Sequence, residues 1–322
     1  MERFEGRIAV VTGGGTGMGR ELVRQLAKEG CHVASCDVFE EPLEETRQTA
    51  LAGAPEGTRV TTFVADVSIE DQVRSFRDAV AQDHQTEHIN LLFNNAGIGG
   101  GGSMIADDRA DWERTFAVDW GGVYHCTRVF LPMLMAADEG HLVNTSSING
   151  IWASIGPRTP HSAYSAAKFA VRGFSEALIA DFRVNAPHLR VSVVLPGHIG
   201  TSIVLNSARV FGRDADSLEE EDLRRLRRQL RGRGVQADSI SDEDLRKGVQ
   251  QMGEAFRDNA PTSAAQAATI ILNGVRENRW RILVGEDAEW IDAQVRADPE
   301  HAYDVEFWER LRATGMFGAF GP

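Results

Sequence analysis

Cysteine is scarce in this sequence, with three residues among 322 and no metal-ligand spacing between them. An odd count of this kind argues against a disulfide framework and favours buried, reduced thiols at Cys31, Cys36 and Cys126. His84 and His88 lie four residues apart, but no third ligand is near them in the sequence, so no metal site is expected.

Long apolar runs and basic residues are also in short supply. No uncharged apolar stretch reaches the ~18 residues of a membrane-spanning helix, and residues 1–5 lack a signal-peptide core. We therefore expect a cytoplasmic protein without a membrane partner. The 34 Lys and Arg residues against 47 Asp and Glu residues leave a formal charge of −13, which opposes nonspecific nucleic-acid binding.

One arginine-rich stretch departs from this acidic balance. Glu220 with Arg224, and Glu221 with Arg225, have the i,i+4 spacing of ion pairs on a helix. The pattern favours a solvated helix, with a site for an anionic partner as the alternative. The arginines of the stretch are Arg224, Arg225, Arg227, Arg228, Arg231 and Arg233.

A glycine-rich turn follows the first apolar run of the sequence. Residues 12–19 read Thr-Gly-Gly-Gly-Thr-Gly-Met-Gly and precede a helical pattern. Strand, glycine turn and helix are the context of a dinucleotide fingerprint, because glycine lets the chain approach a pyrophosphate and the helix N-terminus faces the phosphates. Asp37 ends the next apolar run, where a carboxylate binds ribose hydroxyls and repels a 2′-phosphate, so the sequence favours NAD over NADP.

A second pattern is typical of proton transfer. Tyr164 and Lys168 have the i,i+4 spacing that places two side chains on one helix face. A phenol with a pKa near ~10 is a poor base at neutral pH, and a nearby cation favours its phenolate. The apolar strand that ends at Ser146 and Ser147 brings a hydroxyl to the same sheet edge.

These motifs, with the Asn-Asn-Ala-Gly segment at 94–97 and the Pro-Gly segment at 196–197, resemble the short-chain dehydrogenase/reductase family over about residues 5–201 and 262–285. The resemblance implies that Tyr164 is the general acid/base, that Lys168 lowers its pKa and binds the nicotinamide ribose, and that Ser147 polarises the substrate carbonyl. The fingerprint and the resemblance together give these cofactor-binding candidates: Gly13, Gly15, Thr16, Gly17, Met18, Gly19, Asp37, Asp66, Val67, Asn95, Gly97, Tyr164, Lys168, Pro196, Gly197, Ile199 and Thr201.

Two features depart from the family pattern. Asp119 stands where the family has its fourth catalytic residue, an Asn. A carboxylate in this position preserves, alters or abolishes the family's proton relay, and these alternatives are open. Because a carboxylate still accepts a hydrogen bond, we predict that Asp119 faces Lys168 through water, stays ionised and serves the relay. Ser147 and Tyr164 are also 17 residues apart, which indicates extra loop residues at 156–160 over the substrate.

Strand and helix patterns alternate along the chain and predict an α/β fold, a doubly wound parallel sheet of seven strands with helices on both faces. With 42% hydrophobic residues, the chain can bury one large core, and we expect a single domain over 1–322. Ligands bind at the carboxyl ends of such strands. The strands are predicted near 7–12, 32–37, 59–65, 89–94, 141–146, 190–195 and 280–285.

Residues 202–261, called the lid below, interrupt the alternation. We interpret them as a helical lid too polar to bury a core of its own, with helix-start signals at Ser217 and Ser241 before that at Ser263; the alternative is a mobile surface insertion. Its pocket-facing residues are predicted to be Ile203, Val204, Leu205, Val210 and Phe211.

Residues 286–322 form a C-terminal extension dense in apolar residues, which the same chain or a partner subunit should cover. The resemblance implies a homodimer or homotetramer, to which the extension adds. The apolar residues are Trp290, Ile291, Val295, Tyr303, Phe307, Trp308, Leu311, Met316, Phe317 and Phe320.

The resulting hypothesis is an NAD-dependent alcohol dehydrogenase or ketone reductase for a fairly large, apolar secondary alcohol. The lid and the apolar pair Ile151 and Trp152 after Ser147 favour an apolar pocket. His161 and His198 flank the motifs as either substrate contacts or solvated loop residues. The alternatives are an epimerase or dehydratase of the same fold with tightly held NAD, and an NAD-binding sensor without turnover.

Overall fold

Apolar runs rich in β-branched residues form the parallel strands at the centre of the computed structural model, which describes residues 1–157, 159–232 and 234–316. The strands are β1 Ile8–Thr12, β2 His32–Asp37, β3 Val60–Val64, β4 Leu91–Asn94, β5 Gly140–Thr145, β6 Leu189–Pro196, β7 Ile199–Gly200, β8 Thr262–Ser263 and β9 Arg281–Val284. Seven of them pair in the order β3-β2-β1-β4-β5-β6-β9, and β7 pairs with β8 alone. The predicted doubly wound parallel sheet is confirmed.

Helices cover both faces of this sheet and bury its central strands on both sides. Separate apolar cores form with helices Gly17–Lys28 and Ala264–Arg276 on one face and with helices Glu70–His84, Gly122–Met135 and Ser162–Asn185 on the other. The helices are α1 Gly17–Lys28, α2 Glu40–Ala52, α3 Glu70–His84, α4 Arg109–Phe116, α5 Gly122–Met135, α6 Ser162–Asn185, α7 Ile203–Val210, α8 Glu220–Gly232, α9 Asp242–Asp258, α10 Ala264–Arg276, α11 Glu286–Ala297 and α12 Val305–Ala313.

The lid contains α7, α8 and α9 and has a small apolar core of its own. Leu218, Leu223 and Leu245 are all less than 8% exposed, and Leu226 and Leu230 pack against them. The expectation that this segment is too polar to bury a core is therefore wrong. The apolar positions of α8 and α9 lie on facing sides of the two helices, so few residues suffice.

Two of the three predicted helix-start signals in and after the lid cap a helix, whereas Ser217 lies in a turn before its helix. The Ser241 hydroxyl accepts a hydrogen bond from the Asp244 amide, and Ser263 forms a capping box with Gln266. The helix signalled by Ser217 begins at Glu220.

Ion pairs fasten the lid to the loop before α4. Arg225 contacts Asp107, Asp108 and Asp111 rather than the predicted partner Glu221. The predicted pair of Glu220 and Arg224 is present at 4.0 Å. Arg227 and Arg231 pair with acidic residues of the lid itself, and Arg233 lies outside the described residues.

Most apolar residues of the C-terminal extension that the structure describes are covered by the same chain, while Tyr303 is 57% exposed. Phe307 and Trp308 are buried against Trp152, and their rings lie 4.9 Å from the Trp152 ring. Ile291 and Leu311 join the same core. Phe317 and Phe320 lie outside the described residues, as does Arg158 of the 156–160 loop.

The three cysteines are buried, as predicted, and burial raises the pKa of each thiol. Over the ranges that the structure describes, we find no helix with the length and apolar character needed to span a bilayer.

Replacing His84 should make the unfolding free energy depend less on pH below neutrality. The side chain is 2% exposed and pairs with the Thr61 hydroxyl at 2.9 Å, and burial with the nearby Arg59 lowers its pKa to about 4. The unfolded chain takes up the proton near pH ~6.5, so His84 stabilises the fold fully above that pH and loses this contribution as the pH falls towards 4.

We therefore expect His84→Gln to reduce the loss of unfolding free energy between pH 7 and pH 5 by about 1–2 kcal/mol, measured by urea denaturation. His88→Gln, at an exposed histidine of the same loop region, is the matched control. Identical pH profiles for His84→Gln and the wild type would contradict the assignment.

Candidate active site

The turn between β1 and α1 brings two backbone segments together without room for a side chain. A Cβ built on Gly19 would lie 2.0 Å from the Gly13 carbonyl oxygen, and one on Gly13 would lie 2.8 Å from the Ala96 Cα. Gly13 also has a φ of 68°, which favours glycine. The Asn95 amide holds the turn by donating to the carbonyls of Thr12 and Gly13 at 3.1 and 3.3 Å.

Asp37, the last residue of β2, closes the other side of this turn. Its carboxylate accepts hydrogen bonds from the backbone N–H groups of Gly15 at 2.9 Å and Phe39 at 3.1 Å. Burial raises the pKa of Asp37, and these hydrogen bonds oppose the shift. The Asp37 side chain is thus fixed beside the glycine turn, as its position at the end of β2 predicts.

A cavity opens at this edge of the sheet. The predicted cofactor residues that line it are Gly13, Thr16, Gly17, Met18, Asp37, Asp66, Val67, Asn95, Gly97 and Thr201. The predicted residues that lie outside its lining are Gly15, Gly19, Tyr164, Lys168, Pro196, Gly197 and Ile199. Ile199 packs into the apolar core instead, with 3% exposure.

Arg114 and the lid residue Asn206 also line the cavity, and sequence patterns gave no signal for either. The Arg114 guanidinium donates to Asp66 at 2.6 Å and to the Ser68 hydroxyl at 2.6 Å. Burial raises the pKa of Asp66, but the hydrogen bonds from Arg114 and Ser68 outweigh it and lower the pKa below its usual range. Asp66 is therefore a fixed, ionised acceptor in the cavity wall.

The predicted catalytic side chains converge beyond β5. Ser147 follows that strand, and its hydroxyl lies close enough to the Tyr164 phenol on α6 to lower the pKa of that phenol. Lys168, one turn along the same helix, places its Nζ 5.3 Å from the centre of the Tyr164 ring and donates to the Thr145 carbonyl at 3.2 Å. The phenol and the ammonium therefore lie on the same face of α6, as the i,i+4 spacing predicts.

The phenol keeps its proton more tightly than an exposed tyrosine. Burial has the largest effect on the pKa of Tyr164 and raises it. Asp119 also raises this pKa, whereas Lys168 and the Ser147 hydroxyl lower it, and the net shift is upward. The expectation that the ammonium brings the phenol pKa down thus holds for its own contribution, but burial outweighs it. Tyr164 therefore keeps its proton at neutral pH.

Asp119 lies in a five-residue π-helix, Ala117–Gly121, between α4 and α5. Its Oδ1 accepts the Ile98 N–H at 2.9 Å and lies 3.7 Å from Lys168 Nζ. The predicted pairing with Lys168 is present, but the two groups meet directly rather than through a water, because 3.7 Å leaves no room for one. Burial raises the pKa of Asp119 to about 6 against the opposing effect of Lys168, so the carboxyl is mainly ionised at pH 7.

Of the two histidines that flank the motifs, His198 is buried and His161 is partly buried. The His161 ring packs on the Tyr164 ring with centroids 4.7 Å apart, and burial lowers the pKa of His161 to about 4. His198 is 5% exposed, and its Nε2 contacts the Phe256 carbonyl of the lid at 2.7 Å. Neither is a solvated loop residue.

Asp287, at the start of α11, is a buried carboxylate that sequence patterns did not indicate. Its Oδ2 accepts the His198 backbone N–H at 2.6 Å, and a Cβ on Gly197 would lie 2.2 Å from that oxygen. Burial raises the pKa of Asp287, which hydrogen bonds oppose. The C-terminal extension thus holds the Pro-Gly segment at the end of β6.

Trp152 does not line an apolar pocket, contrary to expectation. It is 1% exposed in the core with α12, and its indole N–H donates to the Ala302 carbonyl at 2.6 Å. In residues 1–157, 159–232 and 234–316 we find no group of three or more His, Cys, Asp or Glu side chains placed to hold a metal ion.

Comparisons with known proteins agree with this arrangement. The family model described as short chain dehydrogenase matches residues 7–209. The SadH protein of Mycobacterium tuberculosis is 34% identical over 296 residues, 92% of each chain, and the levodione reductase of Leifsonia aquatica is 33% identical over 64% of this chain and 74% of its own. A Burkholderia phymatum short chain dehydrogenase/reductase solved in complex with NAD has 30% identity, a TM-score of 0.74 and coverage of 96% of this chain and 97% of its own.

Asp119→Leu should destabilise the fold strongly. It leaves the buried Lys168 ammonium without its carboxylate and the Ile98 N–H without its acceptor, a loss of about 3–5 kcal/mol in unfolding free energy. Asp119→Asn keeps an acceptor for Ile98 and should lose clearly less. Urea denaturation of both variants checks this, and equal stability of Asp119→Leu and the wild type would show that the contact is not stabilising.

Proposed function

Because this chain belongs to the short-chain dehydrogenase/reductase family, we propose that it transfers a hydride between NAD(H) and a fairly large, apolar secondary alcohol or its ketone. The observation that carries the proposal is the meeting of Ser147, Tyr164 and Lys168 beside the cavity that Asp37 and the glycine turn enclose.

The cavity residues fit a dinucleotide. The glycine turn leaves a cradle that Cβ atoms would fill, and α1 begins at Gly17 with no acidic residue in its first turn. Anionic phosphates favour such a helix start. Asp37 is placed to bind ribose hydroxyls, and the related Burkholderia structure contains NAD. When bound there, the nicotinamide supplies or accepts the hydride.

The protein's own groups handle the proton. In ketone reduction, the protonated Tyr164 phenol donates its proton to the carbonyl oxygen of the substrate. The Ser147 hydroxyl hydrogen-bonds the same oxygen. The Lys168 ammonium stabilises the negative charge that then forms on the phenolate. Asp119, 3.7 Å from Lys168, positions the ammonium and balances its charge inside the protein. Alcohol oxidation runs the same proton step in reverse.

Apolar side chains support an apolar substrate. Ile98 and Val118 line the cavity wall near Gly97, and Ile203 and Val210 approach it from the lid, as predicted. Phe211 lies over the segment after Gly97, where its ring atoms come within 2.7 Å of a Cβ position on Gly100. One relative is a reductase named for levodione. Leu205, by contrast, packs against Gly253 within the lid.

The exposed aromatic faces of α5 and α6 support assembly into a homodimer or homotetramer. Tyr124 is 43% exposed on α5 and Phe169 is 41% exposed on α6. Trp120 contacts both Tyr124 and Phe174, so these three rings form one aromatic cluster across α5 and α6. A surface of this kind is suited to cover by a second copy of the chain.

Tyr164→Phe should reduce turnover at least ~100-fold and leave NADH binding within a factor of about two, because it removes the transferred proton and little else. NADH absorbance with a panel of cyclic secondary alcohols and their ketones measures turnover, and fluorescence titration measures binding. Tyr124→Phe, at an exposed tyrosine of α5, is the matched control.

A near-normal rate in Tyr164→Phe would show that another group transfers the proton. A wild-type protein that binds NADH and turns over none of the panel would count against the proposed reaction.

The Asp37 side chain should give NAD a tenfold to thousandfold advantage over NADP in kcat/KM, from a lost ribose hydrogen bond and repulsion of the 2′-phosphate worth roughly 2–4 kcal/mol. Asp37→Asn keeps the shape and should narrow the preference, while Glu40→Gln on the neighbouring helix should leave it unchanged. Equal efficiency of the wild type with both cofactors would overturn this role of Asp37.

A further inference from the structure

The first helix of the lid, α7, lies on the dinucleotide turn. The Asn206 side-chain amide donates to the Thr16 hydroxyl at 2.8 Å, across 190 residues of sequence. Asn206 and Thr16 both line the cavity. One turn along α7, the Arg209 guanidinium lies 4.3 Å from the centre of the Phe39 ring, two residues beyond Asp37. The helix therefore follows the cavity from the expected pyrophosphate position to the adenosine position.

The Asn206 contact determines what the Thr16 hydroxyl can still do. A threonine hydroxyl has one proton to donate and lone pairs to accept with. An amide NH₂ group only donates, so it occupies an acceptor position on Oγ1 and leaves the proton for another group. Across the described residues, this hydroxyl accepts the Asn206 bond and donates none. Its proton is available to an acceptor in the cavity.

The surroundings of Thr16 favour an anion as that acceptor. Thr16 is the N-cap residue of α1, its side chain makes no capping bond, and the first turn of α1 contains no acidic residue. The free N–H groups of a helix start and an outward hydroxyl proton are both donors, and a phosphate oxygen accepts from both.

We propose that Asn206 is a positioning residue for the cofactor pyrophosphate: it fixes the Thr16 hydroxyl as a hydrogen-bond donor to a phosphate oxygen, which makes the lid part of the cofactor site. The inference rests on the proposed function for the identity of the dinucleotide. It assigns to the lid a role in cofactor binding in addition to contact with the substrate.

Fluorescence titration with NADH tests this without any turnover. Asn206→Asp should weaken NADH binding about tenfold or more, because a carboxylate accepts the Thr16 proton instead of leaving it free and adds a negative charge beside the phosphates. Gln250→Glu, an amide-to-carboxylate change on the exposed side of lid helix α9, is the matched control and should bind like the wild type.

A double-mutant cycle separates the positioning role from simple charge repulsion. Asn206→Ala and Thr16→Val should each weaken NADH binding several-fold, and the double variant should bind no more weakly than Thr16→Val alone, because Asn206 acts through Thr16. ADP-ribose should show the same losses, whereas adenosine, which has no phosphate, should bind all variants equally.

Three outcomes overturn the inference: unchanged NADH binding in Asn206→Asp, additive losses in the double variant, or an equal loss of adenosine binding, which would indicate a merely structural contact. Thermal unfolding of each variant verifies that it is folded. A wild type that binds no NADH would overturn the proposed function as well, whereas normal NADH binding with no change in the variants would overturn this inference alone.

Discussion

The ligand edge of this protein depends on two backbone segments that pass each other with no space for a side chain. The Gly13 carbonyl lies where a Cβ of Gly19 would be, and Ala96 lies where a Cβ of Gly13 would be. This contact fixes the end of β1 against the end of β4 and aims α1 at the cavity. Asp37, Asn95 and the lid contact at Thr16 are all positioned relative to this turn.

Most of the sheet and much of the candidate site could be predicted because their signals are local. A strand such as β1 is a continuous apolar run up to Thr12, and the helix start at Ser263 needs only the residues up to Gln266. The Tyr164 and Lys168 spacing similarly places both side chains on one helix face whatever packs around it. Strand ends differ from the predictions by one or two residues, as for 89–94, where the strand begins at Leu91.

The parts that escaped prediction are contacts between residues far apart in the sequence. Leu218, Leu223 and Leu245 look sparse in a polar stretch, and only the fold shows that they meet. Arg225 has an acidic neighbour at helical spacing but pairs with Asp111, 114 residues away. Trp152 resembled a pocket residue because it follows Ser147, yet its cover comes from the far end of the chain. Patterns of spacing contain no information on such partners.

The contact between Trp152 and Ala302 also sets an order of events during synthesis. The Trp152 indole has no carbonyl acceptor until Ala302, 150 residues later, has been synthesised. At the speed of the ribosome, this is a delay of roughly 10–30 s. The glycine turn and both motif helices leave the ribosome well before α12 does. The nascent chain therefore contains the glycine turn and both motif helices before the loop after Ser147 is covered by the segment around Ala302.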